Sequence, residues 1–123
     1  MNNNLISRIA AIVYGLIMIL FSVNHFKMGA GMADYVPSFF PAHTFFVYLT
    51  GAGLALAGIA IIVNIKARLA AYLLGGMLLI FALSIHLPHV LNGTDPAGMY
   101  YASFLKDTGL GAAAFFIGSK SST

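Results

Sequence analysis

The sequence predicts an all-α integral membrane protein, a bundle of four transmembrane helices with both termini in the cytoplasm. Three observations carry that prediction. Of 123 residues, 60% are hydrophobic and only 7% charged, with a mean hydropathy of +0.92, which is too little charge for a soluble domain of this size. The apolar residues fall into four runs, each near the length needed to cross a hydrocarbon core of roughly 30 Å. Arg8, Lys66, Arg68 and Lys120 then lie on one side of the membrane and Lys27 and Lys106 on the other. The positive-inside rule makes the first side cytoplasmic.

The first helix covers residues 5–26. Its Asn-rich start, Arg8 and the apolar run from Ile9 to Phe21 imitate a signal peptide. No small-residue cleavage site is well placed after that run, so it reads as a retained helix. The connection 27–42 is rich in Gly and Met and carries Asp34, Tyr35, Val36-Pro37 and Pro41, a proline spacing that argues against a continuous helix. Phe39, Phe40, Phe45 and Phe46 flank it, as suits an interfacial or re-entrant segment. The second helix covers 43–64, and a tight polar turn with Lys66 follows. The third covers 68–87, where Pro88 ends or kinks it. Asn92-Gly93-Thr94-Asp95-Pro96 has strong turn residues; the fourth helix covers 99–117, and a short Ser-rich tail follows. No internal repeat stands out, and 123 residues suffice for one membrane domain, 1–123.

The fourth helix places two charges where hydrocarbon is expected. A helix starting after Asp107 would reach Ile117 in about 15 Å at 1.5 Å per residue, too short to span. It must begin near Met99, which sinks Lys106 and Asp107 about two turns below the surface. Lys106 can snorkel along its stem; Asp107 cannot, and an acid at that depth should face protein. Ser103, Asp107, Gly111, Ala114 and Gly118 do share one small, polar face, while Phe104, Phe115 and Phe116 are free to meet lipid.

Similar lines of small residues run along the other helices: Arg8, Ala11, Gly15, Met18, Ser22 and His25; His43, Phe46, Thr50, Gly53, Ala57, Ala60 and Asn64; Arg68, Tyr72, Gly75, Leu79, Ala82 and His86. Each ends outward in a histidine. All three acids and all four histidines fall towards the outer side, so packing on these faces gathers His25, His43 and His86 with Asp107 at one level. That constellation suits three chemistries. A quinone can be held by a histidine and an acid that bond its carbonyls, between aromatic walls. Imidazoles with one carboxylate suit zinc or iron, although Pro88 separates His86 from His89. His25 and His86 could ligate a haem. The plain alternative is a set of hydrogen-bonding anchors at the interface, and for Asp107 a pairing with Lys106 or the capping of a re-entrant helix start. No metal site is assigned. The absence of cysteine excludes thiol exchange, iron–sulfur ligation and thiolate metal sites within the chain. The formal charge of +3 forms no basic patch for nucleic acid.

The order Asn24-His25-Phe26, Val36-Pro37, Pro41, Tyr48-Leu49-Thr50-Gly51, Lys66-Ala67-Arg68-Leu69-Ala70-Ala71, His86-Leu87-Pro88 and Phe104-Leu105-Lys106-Asp107 resembles the DoxX and DoxX-like family of small four-helix membrane proteins. The resemblance covers nearly the whole chain through short motifs. Ser22 stands where many members have glycine, an exchange that keeps a small residue. The family's founding member is a small subunit of a terminal quinol oxidase, associated with thiosulfate:quinone oxidoreductase activity. Other members are tied to membrane oxidoreductase complexes and oxidative-stress responses, and distant relatives are chaperones or cargo receptors. The resemblance implies a multi-pass protein of the bacterial inner membrane, more an accessory subunit than a stand-alone enzyme. It would associate with the lipid bilayer and with a membrane redox complex or further copies of itself. The expected ligand is a quinone or similar lipophilic molecule in an outer polar pocket, with His25, His86, Asp107, Lys106 and His43 as ligand-binding candidates. The other reading is a non-catalytic assembly factor that docks a membrane protein through Asp107 and Lys106.

Overall fold

A computed structural model describes residues 3–39 and 41–121; Phe40 of the aromatic flank and Ser122 and Thr123 of the tail lie outside them. All regular structure among the described residues is helical. Helix α1 is Asn3–Lys27, α2 is His43–Val63, α3 is Ala67–Phe81 and α4 is Met99–Lys120. A one-turn helix, Gly29–Met32, and a 3-10 turn, Ala33–Tyr35, fill the first connection. Helix α3 is prolonged by a π turn, Ala82–His86, and a last turn, Leu87–Leu91. Three segments are long and apolar enough to cross a membrane: Asn4–Lys27, His43–Val63 and Ala67–Leu91. Helix α4 has the length but carries Lys106, Asp107 and Lys120.

Proline lacks the N–H for an intrahelical bond, and its ring crowds the carbonyl four residues back. At Pro88 the crowding is absorbed by the widened turn before it, closed by the Leu87 N–H on the Ala82 carbonyl. The chain therefore stays helical to Leu91: of the two outcomes expected at Pro88, the helix does not end there, and its regular geometry is interrupted just before it.

The helices pack as two intimate pairs, α1 with α2 and α3 with α4, with less extensive contact between α2 and α3. Glycines set each crossing. A Cβ on Gly15 would lie 2.8 Å from the Gly58 carbonyl oxygen, and one on Gly58 2.7 Å from that of Gly15. The second pair repeats this at Gly75 and Gly111, with 3.0 and 3.2 Å. In lipid, where apolar surface gives no reason to associate, such close backbone approach is a main source of helix adhesion. Arginines finish the same end. Arg8 donates to the Ile61 carbonyl at 3.0 Å and to that of Ile62, and Arg68 Nε to those of Ser121 and Gly118 at 3.0 and 3.3 Å. Each first helix thus donates to carbonyls at the C-terminal end of its partner, where intrahelical donors run out.

This equivalence exposes an internal repeat that the sequence was not expected to hold. Arg8-Ile9-Ala10-Ala11-Ile12-Val13-Tyr14-Gly15 aligns without a gap on Arg68-Leu69-Ala70-Ala71-Tyr72-Leu73-Leu74-Gly75, with the Arg, both Ala and the Gly identical, and Phe21 matches Phe81 at the same spacing. The π turn then inserts one residue, which brings His86 into the register of His25.

The buried faces follow the predicted lines on α1 (Gly15, Met18, Ser22) and α4 (Asp107, Gly111, Ala114, Gly118). On α2 the line needs correction: the buried residues are Val47, Gly51, Leu54, Ala57, Gly58 and Ile61, and only Ala57 was on it. Helix α2 packs against both α1 and α3, so its inner sector needs large side chains as well as small ones. On α3, Gly75 and Ala82 are buried as expected, Tyr72 is 38% exposed, and the inner face is completed by Ala67, Ala71, Leu74 and Leu78.

Candidate functional site

Away from the arginines the two pairs diverge around a cavity of about 540 Å³. Phe21, Phe46, Leu54, Leu78, Phe81 and Leu110 give it mostly apolar walls, and all four long helices contribute. Below it the bundle is closed by Tyr14, whose hydroxyl donates to the Leu110 carbonyl at 2.6 Å and ties α1 to α4. On the far side Met32, Tyr35, Val36 and Pro37 of the first connection complete the wall.

Asp107 is the chemical centre. It is 7% exposed, and with Ser22 it makes up the buried polar side chains among the described residues. Its Oδ2 lies 2.9 Å from His86 Nε2 and its Oδ1 3.9 Å from Lys106 Nζ. The short acid remains inside the bundle, as its depth requires, and an opposite charge and a hydrogen bond from its own chain offset the cost of burying it. The Lys106 side chain is half exposed and sets its ammonium 5.0 Å from the Phe21 ring, a cation–π contact made by a snorkelling stem. His86 reaches Asp107 because of the π turn, whose added residue rotates the later part of the helix by about 100°. His86 Nδ1 is buried without a partner. His25, on α1, also lines the cavity, but its Nδ1 is 2.7 Å from the Phe21 carbonyl of its own helix.

His43 does not join these groups. It lines a smaller neighbouring cavity of about 280 Å³ with Asp34 and His89. Helix α2 is entered from Ala42 in the left-handed conformation, φ 51°. As its first residue, His43 stands a full turn above Val47, which is in the main wall. His89 is likewise separate from His86: its ring stacks on Tyr100 at 3.9 Å and its Nδ1 meets Thr94 Oγ1 at 3.0 Å. Among the described residues no three of His, Asp and Glu come together as a metal-holding group.

Sequence reasoning missed several parts. Asp95 caps α4, accepting from the Tyr100 and Tyr101 N–H groups at 2.6 and 3.0 Å; the Asp-Pro that reads as a turn was the available signal. Tyr100, so anchored, meets Tyr35 edge-on at 6.0 Å and lines the cavity beside it. Ser84 is also a wall residue, and Ser103, expected on the face of Asp107, lines the cavity with it.

The family resemblance is borne out: a family model described as DoxX matches residues 5–87, from the first helix to the residue after His86. No curated protein and no solved structure gives a match.

Proposed function

The chain belongs to the DoxX family of membrane proteins, and from that premise we propose that it is a redox accessory subunit binding a quinone or similar lipophilic ligand in the cavity between its two helix pairs. On this reading α4 is the fourth span. Its 22 residues reach about 33 Å at 1.5 Å per residue, and its charges are sheltered by α1 and α3. Arg8, Arg68, Lys66 and Lys120 gather at one end and mark it as cytoplasmic, so the cavity opens outward at a bacterial inner membrane. His86 and Asp107 bond one polar end of the ligand, His25 the other, and Lys106 balances the carboxylate.

The observation that carries the proposal is the His86–Asp107 pair at 2.9 Å in the wall of a mostly apolar cavity. Lipophilic ligands are bound by that combination of apolar walls and a few convergent polar groups. It also weighs against the assembly-factor reading, since a carboxylate already engaged by His86 is poorly placed to recognise another protein.

The test is organic extraction of gently solubilised protein, analysed for quinones. Near-stoichiometric quinone that is lost in Asp107→Asn, with helix content kept, is expected. Quinone retained unchanged in that variant would make the acid structural, and a stoichiometric protein client without a small ligand would favour the assembly factor.

A further inference from the structure

We infer that the cavity selects a ligand that donates hydrogen bonds; resting on the quinone reading above, it takes the reduced, dihydroxy form of the ring in preference to the dione. Three polar side chains on three different helices give their proton to a carbonyl of their own helix. Thr50 Oγ1 donates to Phe46 O at 2.8 Å on α2, and Ser84 Oγ to Ile80 O at 2.6 Å on the π-prolonged α3. On α1, His25 Nδ1 lies 2.7 Å from Phe21 O; a carbonyl has no proton, so the hydrogen sits on Nδ1 and the neutral ring keeps a lone pair at Nε2. What Thr50, Ser84 and His25 then hold towards a ligand is acceptor capacity alone.

Asp107, ionised, is an acceptor by nature. His86 turns its Nε2 to that carboxylate at 2.9 Å and is spent on it, while its Nδ1 is buried without a partner. Donors at the wall are fewer. The Lys106 ammonium is engaged by Asp107 and by the Phe21 ring. The hydroxyls of Ser103, Tyr35 and Tyr100 rotate to donate or accept as the ligand demands. A dione carries acceptors only, so it can bond only to Lys106 and to those hydroxyls, and it leaves the acceptors of Thr50, Ser84, His25 and Asp107 unmet. A hydroquinone of the same shape presents two O–H groups to those acceptors, and an unmade bond in a buried site costs more than a made one gains.

The test compares three probes of nearly equal size on the full chain in detergent, under anaerobic conditions, by titration calorimetry: a decyl-substituted benzoquinone, the hydroquinone made by reducing it, and the dimethyl ether of that hydroquinone. The expected result is hydroquinone binding at least about tenfold tighter than the other two, with His25→Phe shrinking the gap. Quinone or ether binding as tightly as hydroquinone would overturn the inference while leaving a quinone site in place. Binding of none of the three would overturn the site and the inference together.

Discussion

At the arginine end the helices of each pair touch backbone to backbone, at Gly15 with Gly58 and Gly75 with Gly111, and last-turn carbonyls are met by Arg8 and Arg68. At the other end the same helices stand apart around about 540 Å³, and an acid is buried among imidazole, ammonium and aromatic groups. Where the two pairs are packed, they use the same devices, a glycine crossing and an arginine at the partner's end. Where they part, they differ. Four residues before the paired glycines stand Leu54 on α2 and Asp107 on α4, so His86 has a carboxylate and His25 has none. A duplicated hairpin can supply adhesion symmetrically, but a site that orients a ligand needs its two sides to differ.

The sharpest way to break this contrast is to overfill a glycine crossing. Gly15→Leu would drive a side chain into the Gly58 carbonyl, and we expect a loss of about 3 kcal/mol or more, or no folded protein; thermal unfolding in detergent checks this. Gly53→Ala is the internal control, because its Cβ would meet only Met77 Sδ at 3.8 Å, and it should leave the midpoint unchanged. Next in size, His86→Phe should weaken binding of the decyl hydroquinone at least about tenfold, since the buried Asp107 loses its hydrogen-bond partner and keeps only Lys106 at 3.9 Å, which calorimetry would read. His25→Phe should cost less. Arg8→Ala and Arg68→Ala should each destabilise by about 1–2 kcal/mol through lost carbonyl bonds, by similar amounts, and leave ligand affinity alone. Unequal losses would count against the equivalence of the two pairs. The smallest effect is expected at Leu73, 66% exposed on the outer face of α3: Leu73→Ala should stay within about 0.5 kcal/mol.

Much of this was legible in the sequence because its signals are coarse and local. Hydrophobic runs fixed the helices to within a few residues, and the depth of Asp107 below the end of its run placed it inside the protein. The illegible part depends on how helices meet. The inner face of α2 was misjudged because small residues were taken as the sole mark of contact, although Leu54 and Ile61 fill it. The π turn has no signal beyond Pro88, yet it sets His86 on Asp107. The repeat could have been found by aligning the two Arg-to-Gly octets, but the extra residue after Phe81 breaks its register before the histidines. His43 was grouped with the other imidazoles by its position at a helix end, which gives depth but not which cavity the residue lines.

The central claim, that a lipophilic ligand sits between the pairs against His86 and Asp107, is tested most directly by a photoreactive azido-quinone and peptide mapping of the labelled full chain. The account predicts labelling on both pairs, within residues 21–25 of α1 and 99–110 of α4, and its loss in Asp107→Asn while the circular dichroism spectrum is kept. Labelling confined to outward-facing positions such as Leu56 and Leu73, and unchanged in that variant, would contradict it.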